Sequence, residues 1–450
     1  MFESFTPWAF FVDLGLMAML MLFGQILRAK VKLVQRLFIP PSLIAGLLGL
    51  ALGPNGAGWL PFSGEMGTYA SILIAFVFAA LPFSSASTPI KEVVRTAGPM
   101  WAYAQLGMLL QWGIVGILGL FVINAIWPDL HEAFGIMLPT GFYGGHGTAA
   151  AIGSAFEEMN SGDFSQDARS LGMMTATIGV ICAIAGGLIF IKWATRNKHT
   201  SFISDFEELP EEFKSGLVPN DKRTSIGSAT TSSISIDSLT FHFALICVAA
   251  LIGYLCSQGV KKQFPMLELP VFSCAFVASL LLKKLFDWTK VSQYVCPQTT
   301  IRIGSMSTDL LVAFGVASIK MSVIVKYALP LTLLVILGTI VTFLITFYFG
   351  RRLSKTYWFE RTIFAWGWWT GTMAMGIALL RIVDPKLKSK TMEDYAMAYL
   401  PIAPIEILLI TFAPILFFNG YGVWFLVGCL ALAAITILIA WLMKWFVPRR

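Results

Sequence analysis

Apolar runs of roughly 17 to 25 residues recur along the whole chain, the length an α-helix needs to cross a hydrocarbon core about 30 Å thick. No other feature restricts the fold as much. A segment in lipid has to satisfy its own backbone N–H and C=O groups, which leaves helices or closed barrels. Composition agrees: of 450 residues, 57% are apolar and 13% charged, where a soluble domain has about a quarter charged. The runs therefore read as membrane spans, with lipid as a partner. The first run lacks a basic leader and a small-residue cleavage site, and Arg28, Lys30 and Lys32 follow it, so it is expected to remain as a span.

In the first half, spans fall near Trp8–Leu27, Ile39–Gly53, Thr68–Phe83, Met100–Trp127 and Arg169–Trp193. Between the last two lies Ala133–Phe156, apolar but broken by Pro139, Gly141, Gly144, Gly145, Gly147 and Gly153. Inside a helix, Gly and Pro cost about 1 and 3 kcal/mol each. The second half repeats this order with Leu267–Phe286, Thr308–Ser322 and Tyr327–Gly350 after an initial span at Leu239–Ser257, then the broken Ile363–Val383, then Tyr395–Phe418. A final span, Tyr421–Phe446, closes the chain.

If both broken segments are hairpins that return to the side they came from, eleven spans result. With the N-terminus outside and the C-terminus cytoplasmic, 27 of the 32 Lys and Arg then lie on the cytoplasmic side, leaving Arg169, Lys261, Lys262, Lys320 and Lys326 outside. That is the separation the positive-inside rule describes. Five spans is an odd number, so the second half enters the membrane with opposite polarity. The expected fold is an all-α polytopic membrane protein of about 11 transmembrane helices in two inverted-topology repeats, each with a Gly-rich re-entrant hairpin. Residues 1–194 form the first repeat with hairpin 133–156, 195–237 a polar cytoplasmic linker, 238–419 the second repeat with hairpin 363–383, and 420–450 the extra span.

Internal similarity supports two related halves. Ile39-Pro-Pro-Ser-Leu recurs as Leu269-Pro-Val-Phe-Ser, Ile74-Ala-Phe-Val-Phe-Ala-Ala-Leu as Val312-Ala-Phe-Gly-Val-Ala-Ser-Ile, and Gly147-Thr-Ala-Ala-Ala-Ile-Gly as Gly371-Thr-Met-Ala-Met-Gly-Ile. Their shared order carries the argument, because single matches in apolar sequence mean little.

Leu138-Pro-Thr-Gly-Phe-Tyr-Gly-Gly-His-Gly-Thr is the most informative segment. Non-helical backbone at membrane depth is tolerated where protein or a water-filled cavity satisfies it, although small residues also serve close helix packing. Gly144, Gly145, Gly147 and Thr148 are the first candidates for contact, since free N–H groups and a hydroxyl suit a carboxylate or Na⁺. His146 is either a donor to a carboxylate or a buried structural imidazole. Thr370, Gly371 and Thr372 are the repeat-related counterparts. Arg381 is either a carboxylate fork or a cytoplasmic anchor. Glu406 lies within an apolar span, where a carboxylate points to ion or proton coupling, or else to an ion pair in the bundle. Gln105 and Gln111 read as interhelical hydrogen-bond partners, Asp13 as hydrated near the outer end of the first span, and Asp309 as the N-cap of the eighth.

Several functions are excluded. The six cysteines have no metal-ligand spacing and read as apolar fillers, so no metal or cofactor is expected. No Walker motif occurs, and no catalytic constellation accompanies His146, so the chain is not expected to be an enzyme. A channel-like or structural membrane protein stays open as an alternative, although the chain has no repeated filter sequence or ring-forming charged motif. The net charge of +7 lies in short segments between spans, without the basic stripe that would bind nucleic acid.

The Gly-Gly-His-Gly-Thr signature, together with Ile39-Pro-Pro, Ile319-Lys-Met and Leu329-Pro-Leu, resembles the sodium/glutamate symporter family of bacteria. The resemblance implies an inner-membrane importer of glutamate or a related small carboxylate, with Na⁺ as coupling ion and a homodimeric assembly. It also implies an elevator-like mobile domain bearing both hairpins, and an acidic position corresponding to Glu406. Coupling to H⁺ and a different organic anion or amino acid remain open alternatives. The second hairpin departs from the family pattern: Trp366-Gly-Trp-Trp-Thr-Gly-Thr-Met-Ala-Met-Gly puts bulky Trp368 and Trp369 where small residues or His are usual. Both are expected to reshape one side of the pocket.

Overall fold

The structure, a computed structural model, describes residues 6–37, 39–84, 90–159, 162–202, 215–223, 225–232, 234–263, 269–384 and 387–447. Residues 203–214, 224 and 233 of the expected linker lie outside the described residues, as do Lys386, Arg449 and Arg450 of the expected cytoplasmic set and the first two residues of Leu267–Phe286. No strand occurs among the described residues.

In chain order the helices are α1 (Pro7–Lys30), α2 (Pro41–Leu52), α3 (Met66–Ser84), α4 (Ile90–Leu110), α5 (Met137–Gly141), α6 (Gly145–Met159), α7 (Asp163–Arg196) and α8 (Ser238–Gln263). They continue as α9 (Val271–Thr289), α10 (Pro297–Ala317), α11 (Met321–Leu353), α12 (Trp358–Thr370), α13 (Met373–Val383), α14 (Thr391–Phe418) and α15 (Gly422–Leu442). Prolines set many of the starts: Pro7, Pro41 and Pro297 occupy first-turn positions, where the missing N–H has no helical partner to lose. Beyond Leu110, α4 runs on to Ile126 through the wide turns Gln111–Val115 and Leu118–Ile123, the π-type widening that often marks a working position.

Among the described residues, eight helices are long and apolar enough to cross a membrane. The sequence led us to expect eleven spans. The difference has a physical cause in each case. Helix α2 has 12 residues, or about 18 Å at 1.5 Å per residue. Helix α9 carries Lys283, Lys284 and Asp287, and α10 carries Arg302 and Asp309, within otherwise apolar faces. The expected span Thr308–Ser322 is displaced, because α10 begins at Pro297 and the chain breaks at Ser318 before α11.

The helices sort into two packed groups. Helices α1, α2, α3, α8, α9 and α10 form one, through the pairs α1/α2, α2/α10, α3/α10, α3/α9 and α8/α9. Helices α4 to α7 and α11 to α15 form the other, through α6/α7, α12/α13, α11/α12, α7/α12, α4/α14 and α4/α15. Each group draws on both halves of the chain, three helices from each in the first and four and five in the second. The larger hydrophobic core lies chiefly in the second group, around Phe134, Phe142, Phe156, Phe364 and Trp366. The groups meet where α6 touches α3 and α10 and where α7 touches α10.

Candidate functional site

Both Gly-rich segments are helix-break-helix units. In the first, α5 ends at Gly141 and α6 starts at Gly145, whose φ of +63° is a left-handed conformation that favours glycine. In the second, α12 ends at Thr370, and Thr372 caps α13 by accepting from the Met375 N–H at 3.4 Å. The two tips touch, because a Cβ on Gly145 would lie 3.3 Å from the Gly371 carbonyl oxygen. Gln111 ties them together. Its Oε1 accepts from the Tyr143 N–H at 3.2 Å, and its Nε2 donates to the Trp369 carbonyl at 3.1 Å and to Thr342 Oγ1 at 2.7 Å. Helix α7 closes in from behind, with Gly179 so near that a Cβ there would lie 2.1 Å from the Thr370 carbonyl.

In front of the tips is a cavity of about 440 Å³ lying between the two helix groups. Gly144, Gly145, His146, Gly147 and Thr148 line it from the first tip, and Gly371, Thr372 and Met373 from the second. The N-termini of α6 and α13 thus both reach the cavity, and a helix N-terminus carries about half a positive charge with unpaired N–H groups. The far wall is apolar, with Phe78 and Leu81 of α3, Phe276 and Leu280 of α9, and Val312 of α10. Lys283 lines it too and donates to the Pro82 carbonyl at 2.8 Å.

Helix α14 adds a polar corner. Glu406 lines the cavity, and Tyr399 donates to its Oε2 at 2.9 Å. Tyr143, Trp368 and Tyr395 pack around this pair, with ring centroids 5.1 Å apart for Tyr143 and Trp368, 4.6 Å for Trp368 and Tyr395, and 5.6 Å for Tyr395 and Tyr399. The hydroxyls of Tyr143 and Tyr395 are buried with no hydrogen-bond partner among the described residues. An unpaired buried hydroxyl costs about 1–3 kcal/mol. Both hydroxyls stand near the Glu406 carboxylate at the cavity wall.

A profile of the sodium/glutamate symporter family matches residues 11–358. The chain belongs to this family. It is also 23% identical over 345 residues to the sodium/glutamate symporters of Escherichia coli (strain K12) and Shigella flexneri, covering 75% of this chain and 79% of each relative. The chain is therefore a multi-pass membrane transporter of the symporter type, not a member of an enzyme class. The matched segment contains the whole first hairpin and stops before the second, so Trp368, Tyr395, Tyr399 and Glu406 lie beyond it.

The symporter's cavity brings together most residues singled out in the sequence and leaves others aside. Thr370 is fully buried and donates to the Trp366 carbonyl at 2.6 Å, and Arg381 lies in the last turn of α13; neither lines the cavity. His146 does line it, with Nε2 3.2 Å from Thr177 Oγ1 on α7. Trp368 faces the cavity, whereas Trp369 turns away into a notch at Gly107, where a Cβ would meet its ring at 2.3 Å. Trp366 similarly fills a notch at Gly186 and donates to the Ala183 carbonyl at 3.1 Å.

Three polar assignments change. Asp13 is 1% exposed rather than hydrated, and accepts from the Ser63 N–H at 2.9 Å, the Ser63 hydroxyl and the Tyr69 hydroxyl at 2.9 Å. Asp309 sits in the body of α10, bonded to Ser42, so it caps nothing. Gln111 is the expected interhelical partner, but the buried Oε1 of Gln105 has none among the described residues. Cys296 is more than a filler, since its sulfur accepts from the Ser228 N–H at 3.4 Å and its own N–H donates to His242 Nε2 at 2.7 Å.

Sequence reading missed the tyrosines. Tyr395, Tyr399 and Glu406 are spaced by four and seven residues on one helix, which places them on one face, and Tyr143 adjoins the glycine signature. That spacing was the available signal. Arg169 was also missed: it pairs with Glu157 and donates to Ser71 Oγ at 2.5 Å and Ser154 Oγ at 3.4 Å, joining α3, α6 and α7.

Proposed function

We propose that this chain is a Na⁺-coupled symporter of glutamate or a related small carboxylate solute, working by alternating access in the bacterial inner membrane. The observation that carries the reading is the convergence of two repeat-related helix N-termini on one cavity. A substrate carboxylate docks on the N–H groups of Gly145, Gly147 and Thr148, where the α6 dipole favours negative charge. Na⁺ is held nearby by the Thr148 hydroxyl and by carbonyls at the break, offsetting the anion's charge as transporters with broken helices do. Because Gln111 couples both tips, they move as one body. The hairpin-bearing group then slides against the other group in an elevator-like step, with the hairpins entering the membrane from opposite sides in inverted repeats.

The test is uptake by purified protein in sealed vesicles. Labelled glutamate and related carboxylates should accumulate against their gradient when Na⁺ is higher outside, and collapse of the Na⁺ gradient should abolish accumulation. Accumulation that follows a proton gradient and ignores Na⁺ would transfer the coupling role to H⁺. Flux that only runs downhill, whatever the ion gradients, would refute symport.

A further inference from the structure

A second cavity, of about 1190 Å³, lies away from the hairpin tips, where α7 and α11 end and α12 begins. Its walls change character in step along both long helices. On α11, Phe343, Leu344 and Phe347 come first, then Tyr348, then Arg351 and Arg352, with Lys355 just past the helix end. The passage from apolar to basic takes roughly 12 Å of helix at 1.5 Å per residue. On α7, Ile189 and Phe190 give way to Trp193, and His199 follows beyond the helix. Both helices are long and apolar enough to cross a membrane, so the basic end stands at a membrane face and the apolar part at acyl-chain depth. Ile189 is 65% and Leu344 57% exposed, and exposure within a span is exposure to lipid. The groove is open sideways.

The basic end is set up for an anion. Among the described residues, no Asp or Glu lines the cavity, and none forms an ion pair with Arg351, Arg352 or Lys355. Glu360, the acid in the first turn of α12, is buried and accepts from the Ser201 N–H at 2.6 Å. The Arg351 guanidinium lies over the Trp358 ring at 4.5 Å and over Trp193 at 5.9 Å, and that of Arg352 over Tyr348 at 5.6 Å. Stacking holds a guanidinium by its face and leaves its N–H edge for a phosphate, which it meets as a two-pronged donor. Below them, Phe190, Phe343 and Phe347 make an aromatic floor with ring centroids 4.7 to 5.2 Å apart. A soluble anion has no use for that floor. A lipid with a charged head uses both ends.

We infer that this groove binds an anionic phospholipid, its phosphate among Arg351, Arg352 and Lys355 and its acyl chains along the apolar wall of α7 and α11. The site is separate from the cavity at the hairpin tips and does not depend on what is transported there. Trp358 is the first residue of α12, so the lipid ties the foot of the second hairpin to the ends of α7 and α11. Because it binds the folded chain and not the unfolded one, it should stabilise the fold.

The experiment is native mass spectrometry of the purified full-length protein in detergent, titrated with anionic phosphatidylglycerol or with zwitterionic phosphatidylcholine of the same acyl chains. Phosphatidylglycerol should bind about tenfold tighter or more, and should raise the unfolding temperature where phosphatidylcholine leaves it nearly unchanged. A basic residue near an anionic headgroup is worth about fivefold in affinity, so Arg351→Gln, Arg352→Gln and Lys355→Gln combined should bring the two lipids close to parity. A control removes the same charge elsewhere, through Lys32→Gln, Lys290→Gln and Arg302→Gln at exposed positions, and should keep the preference. Lys355→Gln alone, exposed past the helix end, has no packing to lose and decides the matter if the combined variant does not fold. It should cost about fivefold for phosphatidylglycerol and nothing for phosphatidylcholine. Equal affinity for the two lipids, or the same loss in the control as in the groove variants, would overturn the inference. Displacement of phosphatidylglycerol by glycerophosphate would overturn it too, by making the groove a site for a soluble phosphate.

Discussion

The two hairpins occupy corresponding places in the two halves, yet one is built from glycine and the other from tryptophan. The first presents bare backbone from Gly144 to Thr148 to the cavity, and Gly147 is so open that a Cβ there would meet only Ile74 Cδ1 at 3.8 Å. The second is wedged in place by Trp366 and Trp369, each seated in a glycine notch of a neighbouring helix, and shows the cavity the ring of Trp368. The two breaks therefore agree in where their helix ends lie and differ in the side chains around them. On the proposed reading the first hairpin is the anion cradle, and its counterpart is the wall beside Glu406.

The largest effect is expected where the wall is wedged. Gly179→Leu would drive a side chain into the Thr370 carbonyl, 2.1 Å from the position of Cβ, and because backbone yields less than a side chain the cost should well exceed the roughly 1–3 kcal/mol of ordinary core overpacking. Thermal unfolding in detergent should show a large drop or no folded protein, whereas Gly147→Ala should leave stability intact while lowering uptake. Equal destabilisation by both changes would erase the contrast between the hairpins.

Next in size is the link between them. Gln111→Leu removes three hydrogen bonds and leaves the Tyr143 N–H and Trp369 carbonyl buried, at a cost of about 2–4 kcal/mol. Vesicle uptake should fall more than substrate affinity, because the tips are no longer coupled; a loss confined to affinity would place Gln111 in substrate binding instead. Thr372→Ala should be milder, at about 1 kcal/mol for a lost N-cap, read as a small fall in unfolding temperature.

The smallest effect concerns the foot of the first hairpin. His131 accepts from the Ala133 N–H at 3.1 Å through Nδ1 and stacks on Phe164 at 4.4 Å, and burial holds its pKa below the ordinary 6.5, with Glu132 opposing. The folded state thus binds its proton less readily than the unfolded chain. Stability should be complete above about pH 6.5 and decline as the pH falls through and below it. Unfolding temperatures between about pH 7.5 and 5 should show the decline in the natural protein and a smaller one in His131→Gln.

Much of this was legible because lipid imposes simple rules. Apolar runs gave the long helices, and prolines and glycines gave the two breaks to within a few residues, although α12 starts at Trp358, five residues ahead of the expected hairpin. The Gly-Gly-His-Gly-Thr segment pointed to the cavity because bare backbone at membrane depth needs a purpose. Other features depend on which side of a helix faces which neighbour. Asp13 was misread since nothing in the first span announces Ser63 and Tyr69 as partners. Trp368 and Trp369 are adjacent in sequence but point to opposite places, as neighbours on a helix do, about 100° apart. The orphan phenols were invisible because a missing partner is a property of packing, not of sequence.

The proposed mechanism needs the two hairpins to reach one cavity from opposite faces of the membrane. Cysteine accessibility tests this most directly, in a background with the exposed Cys256 and the other native cysteines replaced. Gln166→Cys, in the first turns of α7 after the first hairpin, and Lys388→Cys, after the second, are both exposed positions. An impermeant maleimide added to intact cells should label Gln166→Cys and spare Lys388→Cys until the membrane is opened. Labelling of both from the same side would contradict the inverted arrangement.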